Sequence, residues 1–211
     1  METIKRLILE NRAWAKGHFE IDPEYFKKMA ADQKPEILWI GCADSRVPPD
    51  EIINTKPGTL FVHRNIANQV FHHDENLLSV LEYAVKYLKV KYIIVCGHYN
   101  CGGVKAAFEG IDNPRLSNWM RNISQLKAEK MPKDFNELSE HSVRAQIENL
   151  KKIPVIQEAW LQGEYPKLIG WMYDIKNGNV IELATYCPSI QDTKSTIASH
   201  IHTTPTEAKR P

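Results

Sequence analysis

Cys42 closes the run Ile37-Leu38-Trp39-Ile40-Gly41-Cys42, and His98 and Cys101 are separated by two residues in His98-Tyr99-Asn100-Cys101. Zinc favours sulfur and imidazole ligands, and a catalytic zinc keeps one of its four positions open. His98 and Cys101, on one turn, can reach a single ion, and Cys42 would arrive from a neighbouring strand end. Two thiolates cancel the charge of a dication. Cys101 precedes Gly102-Gly103, read as a helix start whose dipole favours a thiolate. H-x-x-C alone is a weak signal; two motifs at adjacent strand ends are stronger. The plain alternative is that Cys42 is a small core residue and His98 a satisfied polar one. Asp44 and Arg46 stand beside Cys42. A carboxylate two residues from a metal cysteine can reach the open coordination position, and an arginine can clamp it as a bidentate pair, ionised and oriented. Swung inward, Asp44 would be a fourth ligand that blocks the site. A loop salt bridge of structural value only is the alternative.

The elements that must position these residues can be read from the pattern. Ile37–Cys42 and Tyr92–Cys96 are short continuous apolar runs, as in strands buried on both faces. Thr59–His63 reads as another strand. Helices are expected over residues 3–16 and 23–30, in a first turn at 48–51, after a cap at Asp74, and at 116–126, 143–150 and 156–161. Asn177-Gly178 between Leu168–Ile175 and Val180–Thr185 marks a hairpin. Strands alternating with helices predict an α/β fold, a mainly parallel central sheet flanked by helices, with an N-terminal helical arm (1–33) and a C-terminal hairpin. Residues 1–211 read as a single domain with a loose tail from about 193. Ligands bind such sheets beyond the carboxyl ends of the strands, where both cysteine motifs fall.

Composition narrows the function classes. With 43% hydrophobic and 25% charged residues, the 211-residue chain can bury a core and is not a disordered sequence. Its 27 basic and 26 acidic side chains nearly cancel, and no basic stripe marks a nucleic-acid partner. The amphipathic pattern of Ile4, Leu7, Ile8 and Trp14 lacks the unbroken apolar run of a secretory signal, and no stretch is long enough to span a membrane. A cytoplasmic protein is expected, whose four cysteines act as ligands or core residues rather than disulfides. Cys96 reads as core; Cys187 receives no role.

Cys42-Ala43-Asp44-Ser45-Arg46-Val47, followed by His98-Tyr99-Asn100-Cys101-Gly102-Gly103, resembles the β-class carbonic anhydrases, with a likeness running from about Met1 to Leu183. The resemblance implies one zinc per chain on Cys42, His98 and Cys101, with Asp44 and Arg46 as catalytic dyad. It implies reversible hydration of carbon dioxide to bicarbonate and a proton by zinc-bound hydroxide, in a homodimer or dimer of dimers with N-terminal helices over the neighbour. Zinc brings the pKa of water from 15.7 to about 7 in a carbonic anhydrase with three histidine ligands; two thiolates donate more charge, so a higher value is expected. Gln33, Val47, Phe61, Ile66, Tyr83 and Gly102 match positions of the substrate cleft, some contributed across the dimer. His63, His72 and His73 are open as proton acceptors. Trp39, Arg64 and Tyr173 match residues marking the type II, bicarbonate-regulated subset, in which bicarbonate binds a noncatalytic pocket and the aspartate swings onto zinc. Rival readings are a hydrolase of carbon disulfide or carbonyl sulfide, and a noncatalytic zinc-stabilised interaction module. Thiol–disulfide exchange ranks last, for want of C-x-x-C.

Overall fold

The continuous apolar runs form the middle of a five-stranded sheet. The computed structural model describes residues 2–163 and 165–188. The strands are β1 (Ile37–Cys42), β2 (Leu60–Asn65), β3 (Tyr92–His98), β4 (Lys167–Asp174) and β5 (Asn179–Tyr186), in the order β2-β1-β3-β4-β5. The first four are mutually parallel and β5 returns antiparallel to β4, so the expected α/β class, parallel sheet and C-terminal hairpin are all present. Gly178, at φ +76°, makes the hairpin turn, a conformation glycine adopts without a Cβ clash.

Alternation along the strands divides the core. Leu38, Ile40, Ile93 and Val95 face Leu77, Leu81, Ile147, Leu150 and Ile156, while Trp39, Ile94 and Cys96 form a cluster on the opposite face with Trp171 and Tyr173 against it. Burial on both faces is why these strands show no polar alternation. Cys96 is core as expected, its thiol pushed up by burial.

Around the sheet lie α3 (Pro49–Ile52), α4 (Glu75–Glu82), α5 (Gly102–Glu109), α6 (Pro114–Trp119), α7 (Arg121–Lys130), α8 (Phe135–Leu150) and α9 (Pro154–Trp160). Asp74 caps α4 as expected, accepting from the backbone N–H groups of Asn76 and Leu77. Several boundaries differ from the sequence expectation. β2 runs to Asn65 and β3 to His98, the apolar signal ending before the hydrogen-bond ladder does. The helix expected over 116–126 is two helices meeting at Met120 (φ −88°, ψ 3°). The helix expected from Val143 begins at Phe135, its first turn capped by Asp134.

The chain divides into two compact units, Met1–Lys34 and Pro35–Pro211. The first holds α1 (Glu2–Ile21) and α2 (Tyr25–Ala31), joined by contacts among the rings of Trp14, His18, Tyr25 and Phe26. No residue of α1 is buried. The tail expected from about 193 lies outside the described residues. No helix among the described residues is long and apolar enough to cross a membrane.

Candidate metal centre and active site

From β1 the chain passes to β2 on one side and then to β3 on the other, so the crevice between the carboxyl ends of β1 and β3 is the sheet's topological switch point, where ligands bind in such folds. Cys42 is the last residue of β1, His98 the last of β3, and Cys101 sits immediately before α5. All three are buried, with one ligand atom from each within 4.8 Å of the others. The two sulfurs are 3.9 Å apart. Two thiolates about 2.3 Å from a tetrahedral ion stand about 3.8 Å apart, so the spacing fits zinc.

The histidine is prepared in the same way. Its Nδ1 lies 3.0 Å from the Tyr99 carbonyl oxygen; as donor there, it leaves the Nε2 lone pair free to bind metal. Nε2 is buried with no hydrogen-bond partner, an arrangement that costs free energy unless something binds it. Hydrogen bonding with the neighbouring Cys101 thiol draws the Cys42 thiol down to about 4 against the effect of burial. The same Cys42 contact, with burial, pushes Cys101 up. The pair thus yields one thiolate readily and gives up its second proton to an arriving cation.

Asp44 lies on the turn after β1. Arg46 grips it bidentately, with Nε 2.9 Å from Oδ1 and Nη2 2.7 Å from Oδ2, while the Arg46 backbone N–H donates to Oδ1 at 3.0 Å. The guanidinium holds the Asp44 carboxyl well below the usual carboxylate range. Oδ2 is also 3.8 Å from His98 Nε2, so the carboxylate borders the cluster while facing Arg46. Arg46 Nη2 further donates to the Asn100 carbonyl at 3.2 Å, joining the dyad to the ligand turn.

That turn is held from α8, a support the sequence did not announce. The Asn100 N–H donates to Asn136 Oδ1 at 2.9 Å, and the Tyr99 hydroxyl to Glu140 Oε1 at 2.7 Å. Burial and Glu140 push the Tyr99 phenol up to about 12. Asn100 has φ +56°, a left-handed value that asparagine tolerates better than most residues; an asparagine between two ligands was the available hint.

The remaining expected residues are dispersed. Val47 is buried in one cluster with Cys42, Ala67 and Cys101. Ile66 is exposed just beyond β2, and Gly102 opens α5. Phe61 and Tyr83 pair with each other, ring centroids 5.7 Å apart. Phe61 lies opposite Leu38, four residues or about 13 Å of strand before Cys42. Gln33 is an exposed residue of the first unit, its N–H on the Asp32 carboxylate. Trp39 is buried with Tyr173 packed against its cluster. Arg64 donates from Nε to the Cys42 carbonyl at 2.8 Å and from Nη2 to the Asp44 carbonyl at 2.5 Å.

A family model described as carbonic anhydrase matches residues 37–180. A tetrameric β-carbonic anhydrase from Sordaria macrospora superposes with TM-score 0.83 at 36% identity, covering 90% of this chain and all of that one. The chain belongs to the β-carbonic anhydrase family. A carbonic anhydrase of Emericella nidulans is 42% identical over 198 residues, 90% of this chain and 87% of its own length. A Coccomyxa β-carbonic anhydrase solved with acetazolamide shares 33% identity, also at TM-score 0.83, covering 95% of this chain and 98% of that chain. This carbonic anhydrase is therefore an enzyme, and its Cys42–His98–Cys101 cluster has the donor set and spacing for the family's zinc.

Proposed function

We propose that this carbonic anhydrase interconverts carbon dioxide and bicarbonate at the Cys42–His98–Cys101 centre, with Asp44 and Arg46 as its catalytic pair. The observation that carries the assignment is the bidentate clamp on Asp44, whose Oδ2 borders His98 Nε2. One zinc per chain supplies a Lewis acid that brings the pKa of a water molecule down towards neutrality. With zinc held by Cys42, His98 and Cys101, Asp44, kept ionised by Arg46 and bordering His98 Nε2, would be placed to accept a hydrogen bond from the nucleophile and orient it. Val47 and Ile66 give an uncharged gas apolar walls. The Gly102 N–H, free at the start of α5, can hold an oxygen of the product. Phe61 and Tyr83, which pair with each other, and Gln33 are assigned to the cleft by the family resemblance alone.

A zinc-stabilised module without catalysis gives no reason for the dyad, and the family comparison does not favour a carbon disulfide or carbonyl sulfide hydrolase. Steady-state rates on the three substrates test this: carbon dioxide is expected to be fastest, and turnover confined to the sulfur compounds would overturn the assignment. For the proton, His63 is buried against Asn65 and His72 Nε2 lies on the Asn149 carbonyl, so neither is singled out as the acceptor. The proposal includes a cytoplasmic homodimer, paired into a dimer of dimers. The exposed apolar residues of α1 and the exposed Val62, Tyr83 and Tyr87 support assembly, as does the tetrameric Sordaria relative.

The proposal extends to the type II, bicarbonate-regulated subset through Trp39, Arg64 and Tyr173. Arg64 holds the main chain on both sides of Ala43 through the carbonyls of Cys42 and Asp44. An anion that recruits its guanidinium would loosen that hold and release Asp44 towards the metal. Arg64→Ala is expected to abolish bicarbonate inhibition and flatten its steep low-pH loss. Unchanged responses would remove the regulatory assignment.

A further inference from the structure

Asn65 ends β2 opposite Cys42, and its carbonyl accepts the Ala43 N–H at 2.9 Å. Its side chain grips the next loop by both groups of one residue. Oδ1 accepts from the Gln69 N–H and Nδ2 donates to the Gln69 carbonyl, each at 2.8 Å. Between them, Ala67 and Asn68 have φ +64° and +47°. Two successive non-glycine residues in the left-handed region are strained and persist only where surrounding contacts over-determine them. Further contacts do so here. Trp119 Nε1 donates to the Ile66 carbonyl at 2.9 Å, and Gln69 Nε2 to the Trp119 carbonyl at 3.0 Å.

The held loop abuts the metal ligands. Ala67 is fully buried in the cluster containing Cys42 and Cys101. On the other side, a Cβ at Gly103 would come within 2.9 Å of Ile66 Cγ2 and 3.4 Å of Ala67 Cβ. The loop is thus wedged between the end of β1 and the first turn of α5.

We propose that Asn65 is a positioning residue for the metal centre, its side-chain clamp holding Ala67 left-handed so that the loop stays packed against Cys42 and Cys101 and fixes their position. Groups outside the coordination sphere that orient the ligands change metal affinity by about 10–100-fold when removed. The strain at Ala67 is then the cost of packing the loop against the ligands.

The test is zinc release from the loaded protein to excess chelator, with the thiolate-to-metal absorption of the cobalt-substituted protein as second readout. Asn65→Ala is expected to release zinc at least about tenfold faster and to shift the cobalt band. Ala67→Gly is expected to keep the parent rate, because glycine takes the left-handed conformation freely, and to recover part of the loss when combined with Asn65→Ala. A parent-like release rate and spectrum in folded Asn65→Ala would overturn the proposal. Should that variant not fold, Trp119→Phe removes one loop contact while keeping the ring. A release rate raised about threefold supports the clamp, less than the about 10–100-fold of a whole supporting group because only one loop contact is lost, and an unchanged rate overturns it. A parent protein that binds no zinc would instead overturn the metal assignment on which this rests.

Discussion

Replacing Asp44 by asparagine keeps the side chain's shape and removes what its role requires. The carboxylate takes three donors, the Arg46 N–H, Nε and Nη2, on two oxygens. Asparagine offers one oxygen, so its amide NH2 must face an arginine donor or turn away. The effect on folding should be small, since Arg46 is half exposed although Asp44 is largely covered. Losing the Asp44 interactions should therefore cost about 1 kcal/mol, or about 2–4 °C in melting temperature for a chain of this size. The effect on catalysis should be far larger. Positioned proton acceptors contribute about 10²–10⁴-fold, equivalent to about 3–5 kcal/mol of barrier. Zinc content should not change, because all three ligands remain. Stopped-flow hydration of carbon dioxide on protein of measured zinc content separates these effects. A zinc-replete Asp44→Asn enzyme within threefold of the parent would refute the catalytic role and leave the pair as a structural turn.

Three further outcomes follow from the geometry. A Cβ at residue 41 would lie 2.4 Å from Trp39 Nε1, and Trp39 is buried edge-on to Trp171. Gly41→Ala should thus destabilise the fold by about 1–3 kcal/mol, measured by urea unfolding; a parent-like midpoint would show that the indole yields. Burial lowers the His63 pKa, opposed by Asp74, so the unfolded chain takes up a proton that folded His63 resists. The associated stability is complete above the unfolded value of about 6.5 and is lost as pH falls through the folded value. His63→Gln should flatten that part of the stability–pH curve, and an unaltered curve would assign it to other groups. Tyr99→Phe leaves Glu140 without its phenol partner and should cost about 1–2 kcal/mol, with faster loss of zinc to chelator because the ligand turn is freed from α8. Parent-like stability and zinc retention together would contradict that anchoring.

Much of the centre was legible because its chemistry is local in sequence. Cys42, Asp44 and Arg46 occupy one turn and His98 and Cys101 another, each directly after an apolar run long enough to be read as a buried strand. The supports were hidden for a physical reason: they are polar and remote in the chain. The first half of α8 carries Asn136 and Glu140 towards the ligand turn, which breaks the apolar periodicity that reveals a helix. His63-Arg64-Asn65 conceals the end of β2 in the same way, although Asn65 pairs in register with Cys42. Met120 interrupts a helical pattern with neither glycine nor proline to mark it. Arg64 was singled out by resemblance, but its bonds to the Cys42 and Asp44 carbonyls depend on strand register and were not visible in the motif.

The central claim is tested most directly by stopped-flow carbon dioxide hydration from about pH 6.5 to 9, a range that brackets a zinc-activated water near neutrality or above, on enzyme carrying one zinc per chain. Fast turnover that rises with pH, and disappears with the metal, is the predicted result. No turnover across the range by zinc-replete protein would contradict it.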